Sequence, residues 1–225
     1  MTTLSNIDEI AEEVRKIAEN LNEKIQLREN LMLTSREAIR LCGEAISAIH
    51  RRELKTAELK LKEAKNSINI IIKAVEEHPE LIGGTVITAM QEYVEAKSLY
   101  ELVTKKRIPL INELNVLDRA YILGLADLIG EMRREAIELL KAEKLEDSEY
   151  MVELMERLHE ILQPLEYPRS LVPELRSKID IMRRLIEDTR RIVVDAIISI
   201  KLRRALEQHA KKHQKLKTAI IKQLS

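Results

Sequence analysis

The sequence predicts an all-α protein, an up-and-down bundle of about six or seven helices. Three observations carry that expectation. Aliphatic and charged residues dominate while glycine is scarce: 45% of the 225 residues are hydrophobic, 34% are charged and only five are Gly. Such a composition favours helix over sheet. Apolar residues recur at spacings of three and four along most of the chain, and no stretch alternates convincingly with period two. Proline and glycine fall between the periodic stretches, where they punctuate helices.

The elements follow in order. Ser5 precedes an a/d-like series at Ile7, Ile10, Val14, Ile17 and Leu21, with Asp8 three residues on, which marks a helix start. The series continues through Leu31, Ala38, Cys42, Ile46 and Ile49, so the first helix is very long, with a bend expected near Gly43. A second helix runs from about Leu54 through Leu61, Ala64, Ile68, Ile71 and Val75, and stops where Pro79 disfavours a helical His78. Gly83 and Gly84 break the chain. A third helix spans about 85–103, carries Glu92 and Glu95, and ends before a connection containing Pro109. The fourth spans about 118–142. The fifth starts near Ser148 and ends before Pro164. Pro164, Pro168 and Pro173 mark a loop, and the last helix begins with Pro173 in its first turn, where a missing N–H costs nothing. It continues through Ile179, Met182, Ile186, Val193 and Ile197 into a basic tail. The organisation expected is a helical domain over 1–204 and a basic helical extension over 205–225. Leftover apolar stripes on helices this long favour oligomerisation.

Composition also limits what the chain can be. Phe and Trp are absent, so the core must be built from Leu, Ile, Val, Ala and Met. The single cysteine, Cys42, cannot form an internal disulfide and sits in an apolar stretch, which suits a packed thiol in a reducing cytoplasm. No cationic start leads into an apolar signal region, and no apolar run approaches the roughly 20 residues of a membrane span. A net charge of zero hides an asymmetry: residues 201–225 hold eight Lys and Arg against Glu207 alone. Such a tail can contact nucleic acid, form a solvated helix end, or tether an acidic neighbouring subunit.

Acids supply the candidate chemistry. Asp127 is the only charged residue in YILGLADLIG (121–130), and Glu131 follows one turn later on the same helical face. Taking a carboxylate out of water costs several kcal/mol unless a cation compensates. A divalent metal is one such cation; a structural pair with Arg133 or Arg134 is another. Glu92 and Glu95, at i and i+3, form a second acidic face, which reads either as a solvated surface or as a metal-ligand pair. Four carboxylates from two helices would suit Mg²⁺ or Mn²⁺, which can activate water and neutralise charge on a phosphodiester. Gly124, one turn before Asp127, leaves room for close approach.

Other chemistries lack their residues. The sequence contains no Gly-rich phosphate loop, no cysteine ligand set and no G-x-S-x-G elbow. Glu156 and His159 form one E-x-x-H, but a di-iron carboxylate bundle needs two, and charged neighbours make His159 a surface histidine. His50, beside Arg51 and Arg52 near a helix end, could contact phosphate or simply complement the helix dipole.

The segment YILGLADLIGEMRR (121–134) resembles the G-L-A-D-L-x-G-E signature of the translin superfamily. QEYVEA (91–96) is similar to the segment that carries paired catalytic glutamates in the translin-associated factor X branch, and Ser35-Arg36 with the following helix resembles that branch's N-terminal region. The resemblance covers roughly residues 25–204. It implies a seven-helix subunit, a closed barrel-like octamer, and Mg²⁺-dependent (or Mn²⁺-dependent) endoribonuclease activity on RNA held inside. Carried over by position, Glu92, Glu95 and Asp127 are catalytic metal-binding acids, with Glu131 as a supporting ligand. An archaeal-type homo-octamer in the cytoplasm, acting on single-stranded RNA with single-stranded DNA as a second candidate, is the expected assembly and substrate. Candidate RNA contacts are Arg36, Arg40, Arg51, Arg52 and Lys97. The alternative is a non-catalytic RNA- or DNA-binding scaffold of the translin kind, whose acids are structural.

Overall fold

A chain without Phe or Trp must bring its helices together through small and aliphatic side chains, and the backbone is helical almost throughout. The computed structural model describes residues 6–168 and 171–223, with side chains as far as Gln214. Among the described residues there are seven α-helices and one 3-10 turn, and no strand. They are α1 (Ile7–His50), α2 (Leu54–Glu77), the turn Pro79–Leu81, α3 (Gly84–Lys105), α4 (Ile111–Leu114), α5 (Asp118–Lys141), α6 (Leu145–Leu162) and α7 (Leu175–Gln223). The chain divides into two compact units, 1–125 and 126–225, and the division falls inside α5.

In the first unit α1, α2 and α3 pack on one another. Three residues join α1 to α2, so the two run antiparallel side by side. Ala38, Ala45, Ala57, Ala64, Ala89 and Ala96 are fully buried along the helix seams. Ile49, Ile68, Ile71, Met90 and Leu99 fill the remaining space, and each contributes about 1.5–3 kcal/mol by leaving water. Lys60 pairs with Glu44 at 3.2 Å across α1 and α2. The turn Pro79–Leu81 is held to α1 by Lys24 and Glu80, 2.6 Å apart. The His78 backbone leaves the helical region (φ −135°, ψ 73°), as the following proline requires.

The series Ile7, Ile10, Val14, Ile17 and Leu21 lies on α1 and is exposed, with Ile17 at 58%, and the first buried residue of α1 is Leu31. Its strict three-and-four spacing has the 3.5-residue period of a coiled-coil seam rather than of a globular helix face. Two expectations are corrected. The fifth helix (α6) begins at Leu145, and Ser148 does not cap it. That hydroxyl is buried and donates to the Ala136 carbonyl at 2.9 Å, pinning α6 to α5. Pro173 lies two residues ahead of α7 rather than in its first turn, because a turn in which Val172 N–H bonds the Pro168 carbonyl precedes the helix. Ser5 lies outside the described residues. Helix α1 is continuous across Gly43.

The short α4 was not foreseen. Its first turn is capped by Glu113, whose carboxylate accepts from Leu110 N–H at 2.7 Å. Tyr121 donates its hydroxyl to the Pro109 carbonyl at 3.0 Å, fastening the same connection to α5. In the second unit Leu140, Val152, Val193 and Ile197 form a cluster joining α5, α6 and α7. Glu156 and Arg190 pair across α6 and α7 at 2.6 Å. Glu143, which ends α5 in a left-handed conformation (φ 54°), accepts from Arg203 and Arg204 of α7. Among the described residues no helix is long and apolar enough to cross a membrane. Helix α7 runs unbroken past residue 204.

Glu101 is a buried acid of the first unit that three cations compensate. It is 4% exposed and meets Lys97 at 3.1 Å, Lys105 at 3.2 Å and Arg107 at 2.7 Å. Burial alone would raise its pKa, but the three cations outweigh burial and hold the carboxyl below the usual glutamate range. The charged form is therefore the one the fold favours, and its contribution is present above the ordinary glutamate pKa and lost as pH falls through the depressed one. Glu101→Gln should lower stability by about 1–3 kcal/mol at neutral pH. Urea melts of the two proteins across the acid range should converge as pH drops below that of an ordinary glutamate.

Candidate functional site

Three stripes on α3 organise the candidate site. Gln91 and Val94 form the first and face α5: a Cβ built on Gly124 would lie 2.6 Å from the Gln91 carbonyl oxygen and 2.6 Å from the Val94 Cβ. Only glycine permits this crossing. Glu92 and Glu95, each one residue on, form the adjacent stripe about 100° round the helix. Both are half-buried. Their charges reach Cys42 on α1: burial first, and then Glu92 and Glu95, push that buried thiol well above its ordinary pKa. Cys42 is thus an inert packing residue, as expected from its apolar neighbours.

The third stripe, Tyr93, Lys97 and Tyr100, faces α2. Lys97 was expected beside the acids, but it follows Glu92 by five residues and so lies about 140° round the helix. Its ammonium meets Glu101 and sits 5.3 Å from the centre of the Tyr100 ring.

In the second unit Asp127 is half-buried and bound by Lys178 of α7, Nζ to Oδ1 at 2.5 Å. The arginines considered as partners are used otherwise: Arg133 approaches Asp188 at 4.0 Å, and Arg134 is exposed. Lys178 was missed because it lies 51 residues away, and nothing in the local sequence points to it. Glu131 is half-buried one turn beyond Asp127. Within each unit, among the described residues, no group of three or more His, Cys, Asp or Glu side chains could hold a metal. Each unit supplies a pair of acids, Glu92 with Glu95 and Asp127 with Glu131.

Of the candidate RNA contacts, Arg36 is exposed on α1. Arg40 is bonded to Glu37 at 2.6 Å and also to Glu44, and its hydrogen bond holds the Glu37 carboxyl below the usual range. Arg51 pairs with Glu53 at 2.9 Å. Arg52 is exposed and takes a left-handed conformation (φ 63°) just after α1. Arg40 and Arg51 are thus already met by carboxylates. His159, read as a surface residue, is half-buried. Its Nε2 is shut from solvent with no hydrogen-bond partner, and it lines a cavity of about 560 Å³ beside Arg176 and Arg183.

The model of the Translin family matches residues 8–199. This chain belongs to the Translin family. The match takes in the exposed first half of α1, which the sequence resemblance did not reach. An uncharacterized protein of Methanocaldococcus jannaschii is 36% identical over 201 residues, covering 88% of each chain. Among solved structures, AfC3PO in complex with duplex RNA superposes with a TM-score of 0.76 at 30% identity, over 83% of this chain and 97% of that one. The crystal structure of apo-NeC3PO gives 0.70 at 25% identity, over 87% and 100%. The all-α translin-like fold is common to them.

Gly124 offers a direct test of how α5 seats on α3 in this translin-family chain. Its neighbours at 2.6 Å are a backbone oxygen and a Cβ, neither able to swing aside. Gly124→Ala should cost about 1–3 kcal/mol through overpacking, despite alanine's better helix propensity. A thermal melt of the variant that matched or exceeded the parent would refute the close crossing.

Proposed function

We propose that this translin-family chain is the catalytic subunit of a metal-dependent endoribonuclease that assembles as a homo-oligomeric, octameric barrel. In this reading Glu92, Glu95 and Asp127 act together, with Glu131 in support. The observation that carries it is the seating of α5 on α3 at Gly124, immediately beside the Glu92 and Glu95 stripe and one turn before Asp127. Family membership and the likeness to AfC3PO, which is seen with duplex RNA, support RNA as the substrate. Both single-stranded and duplex RNA are therefore substrates to test.

The donor set fits Mg²⁺ or Mn²⁺, since all four candidate ligands are hard carboxylate oxygens. When bound, such an ion supplies charge neutralisation at a phosphodiester and a water acidic enough to act as nucleophile near neutral pH. The protein's own part is positional. Glu92 and Glu95 present two oxygens from one face of α3. Lys178 grips Asp127 through Oδ1, fixing the orientation of that carboxylate and offsetting one negative charge. The remaining acids repel a polyanion, so RNA affinity near them should rise when Mn²⁺ replaces EDTA.

One observation favours a second reading. The Lys178–Asp127 pair is the arrangement expected of a structural acid, which would make the chain an RNA- or DNA-binding scaffold without cleavage.

Cleavage of a labelled RNA in Mn²⁺ separates the two. Asp127→Asn should reduce the rate by about 100-fold or more while oligomeric state and RNA retention in EDTA stay as in the parent. If the parent itself never cuts RNA and binds it equally in EDTA and Mn²⁺, the scaffold reading stands. Cleavage at the parental rate in Asp127→Asn would remove Asp127 from the site.

A further inference from the structure

On the α2 side of α3, away from Glu92 and Glu95, the two helices enclose a groove of about 290 Å³ within the first unit. Glu58, Lys62 and Lys65 line it from α2, and Tyr93, Lys97 and Tyr100 from α3. The Lys65 ammonium lies 5.5 Å from the Tyr93 ring centre, and that of Lys97 lies 5.3 Å from the Tyr100 ring centre. Both rings are nearly buried, with Tyr93 3% exposed, so they serve as fixed seats for the ammonium groups rather than as open stacking faces.

Two carboxylates stand at the groove, and each is shared with other groups. Glu101 is shared by Lys97, Lys105 and Arg107, and Glu58 interacts with the Tyr100 hydroxyl. Lys65 donates to the Leu114 carbonyl, a neutral acceptor. Burial first, and then the like charge of Lys97, lower the Lys65 pKa. Lys62, three residues before Lys65, is exposed, and the ion pairs of α2 nearby are made by Lys60 instead. Two half-buried ammonium groups are thus held near each other, of which Lys97 is ion-paired and Lys65 has no carboxylate partner among the described residues, and a third stands at the rim. An oxyanion placed among them would relieve the repulsion and accept the hydrogen bonds that Lys62 and Lys65 have to give.

We propose that the α2/α3 groove is a phosphate-binding site, in which Lys62, Lys65 and Lys97 hold the phosphate group of a nucleotide and Tyr93 and Tyr100 fix the lysines. The phosphate can come from the backbone of an RNA strand or from a free mononucleotide. The site lies on the opposite side of α3 from the acids and does not depend on the nuclease reading.

Full-length protein in EDTA, so that acid-bound metal contributes nothing, is titrated with a short single-stranded RNA and separately with AMP. The parent is compared with Lys62→Gln, Lys65→Gln and Lys62→Arg. For an RNA strand, each Gln variant should weaken oligonucleotide binding roughly three- to tenfold and flatten its salt dependence by about 0.7 in log–log slope, with Lys62→Arg close to the parent. For a free nucleotide, the same loss appears with AMP and not with RNA. In either case ¹³C-methyl NMR of reductively methylated protein should show the Lys65 amine pKa rising as that ligand is added. Lys62 is exposed, so Lys62→Gln decides the matter even if Lys65→Gln, which loses its bond to Leu114, does not fold. Unchanged affinity for both ligands in Lys62→Gln, with no movement of the Lys65 amine, overturns the site. Loss of cleavage in Asp127→Asn with these affinities intact bears only on the acids.

Discussion

Helix α5 can meet α3 only because residue 124 has no side chain, and the arrangement of the candidate site follows from that contact. A methyl group at this point would overlap both the Gln91 carbonyl and the Val94 Cβ. Backbones that come so close fix the rotation of α3 about its axis, since Gln91 and Val94 must face the crossing. Once that stripe is fixed, the stripes beside it are fixed too. The acids point to one side, within electrostatic reach of Cys42, and the tyrosines and Lys97 turn to α2. A single steric constraint therefore separates an acidic face from a basic one on the same helix, with no need for the charges to sort themselves.

The two faces manage their charge differently. Around Glu101, one buried carboxylate meets three cations, two of them substantially exposed, so the desolvated acid is satisfied while the cations remain hydrated. Around Asp127 a single partly buried lysine meets a partly buried acid, a pairing whose net contribution is small unless geometry is good. In the α2/α3 groove three lysines stand together in a partly buried setting, and only Lys97 is ion-paired among the described residues. Such a grouping is costly to maintain in a folded chain, which is why it draws attention in a core otherwise built from alanine and branched aliphatics.

Most of the fold was legible in the sequence, for reasons that can be named. Pro79 stops α2 by acting on His78, the Gly83-Gly84 pair starts α3, and the lone-acid run around Asp127 sits inside one uninterrupted apolar period, so those helices were bounded closely. Local signals misled where a residue served a distant partner. Ser148 looks like a cap in sequence, yet its hydroxyl belongs to the Ala136 carbonyl on the preceding helix. Lys178 as the partner of Asp127 depends on how α7 returns, which no spacing rule conveys. The position of Lys97 was legible, since five residues from Glu92 carry it well round the helix, and proximity in sequence obscured the angle. The pairing of Glu92 with Glu95 on one face follows from spacing alone.

Helix α1 is continuous in geometry and divided in energetics. From Leu31 onward its inner face is buried against α2 and α3, whereas the preceding residues draw no comparable burial and, apart from Lys24 with Glu80, are held by local pairs such as Arg15 with Glu12. An uncovered helical stretch of that length is only marginally stable in water. Amide protons along the first half should therefore exchange through local fraying, and those after Leu31 only through opening of the three-helix core. The same rod thus contains a segment whose order is conditional on its surroundings and a segment whose order is intrinsic to the fold, joined without a break in the backbone.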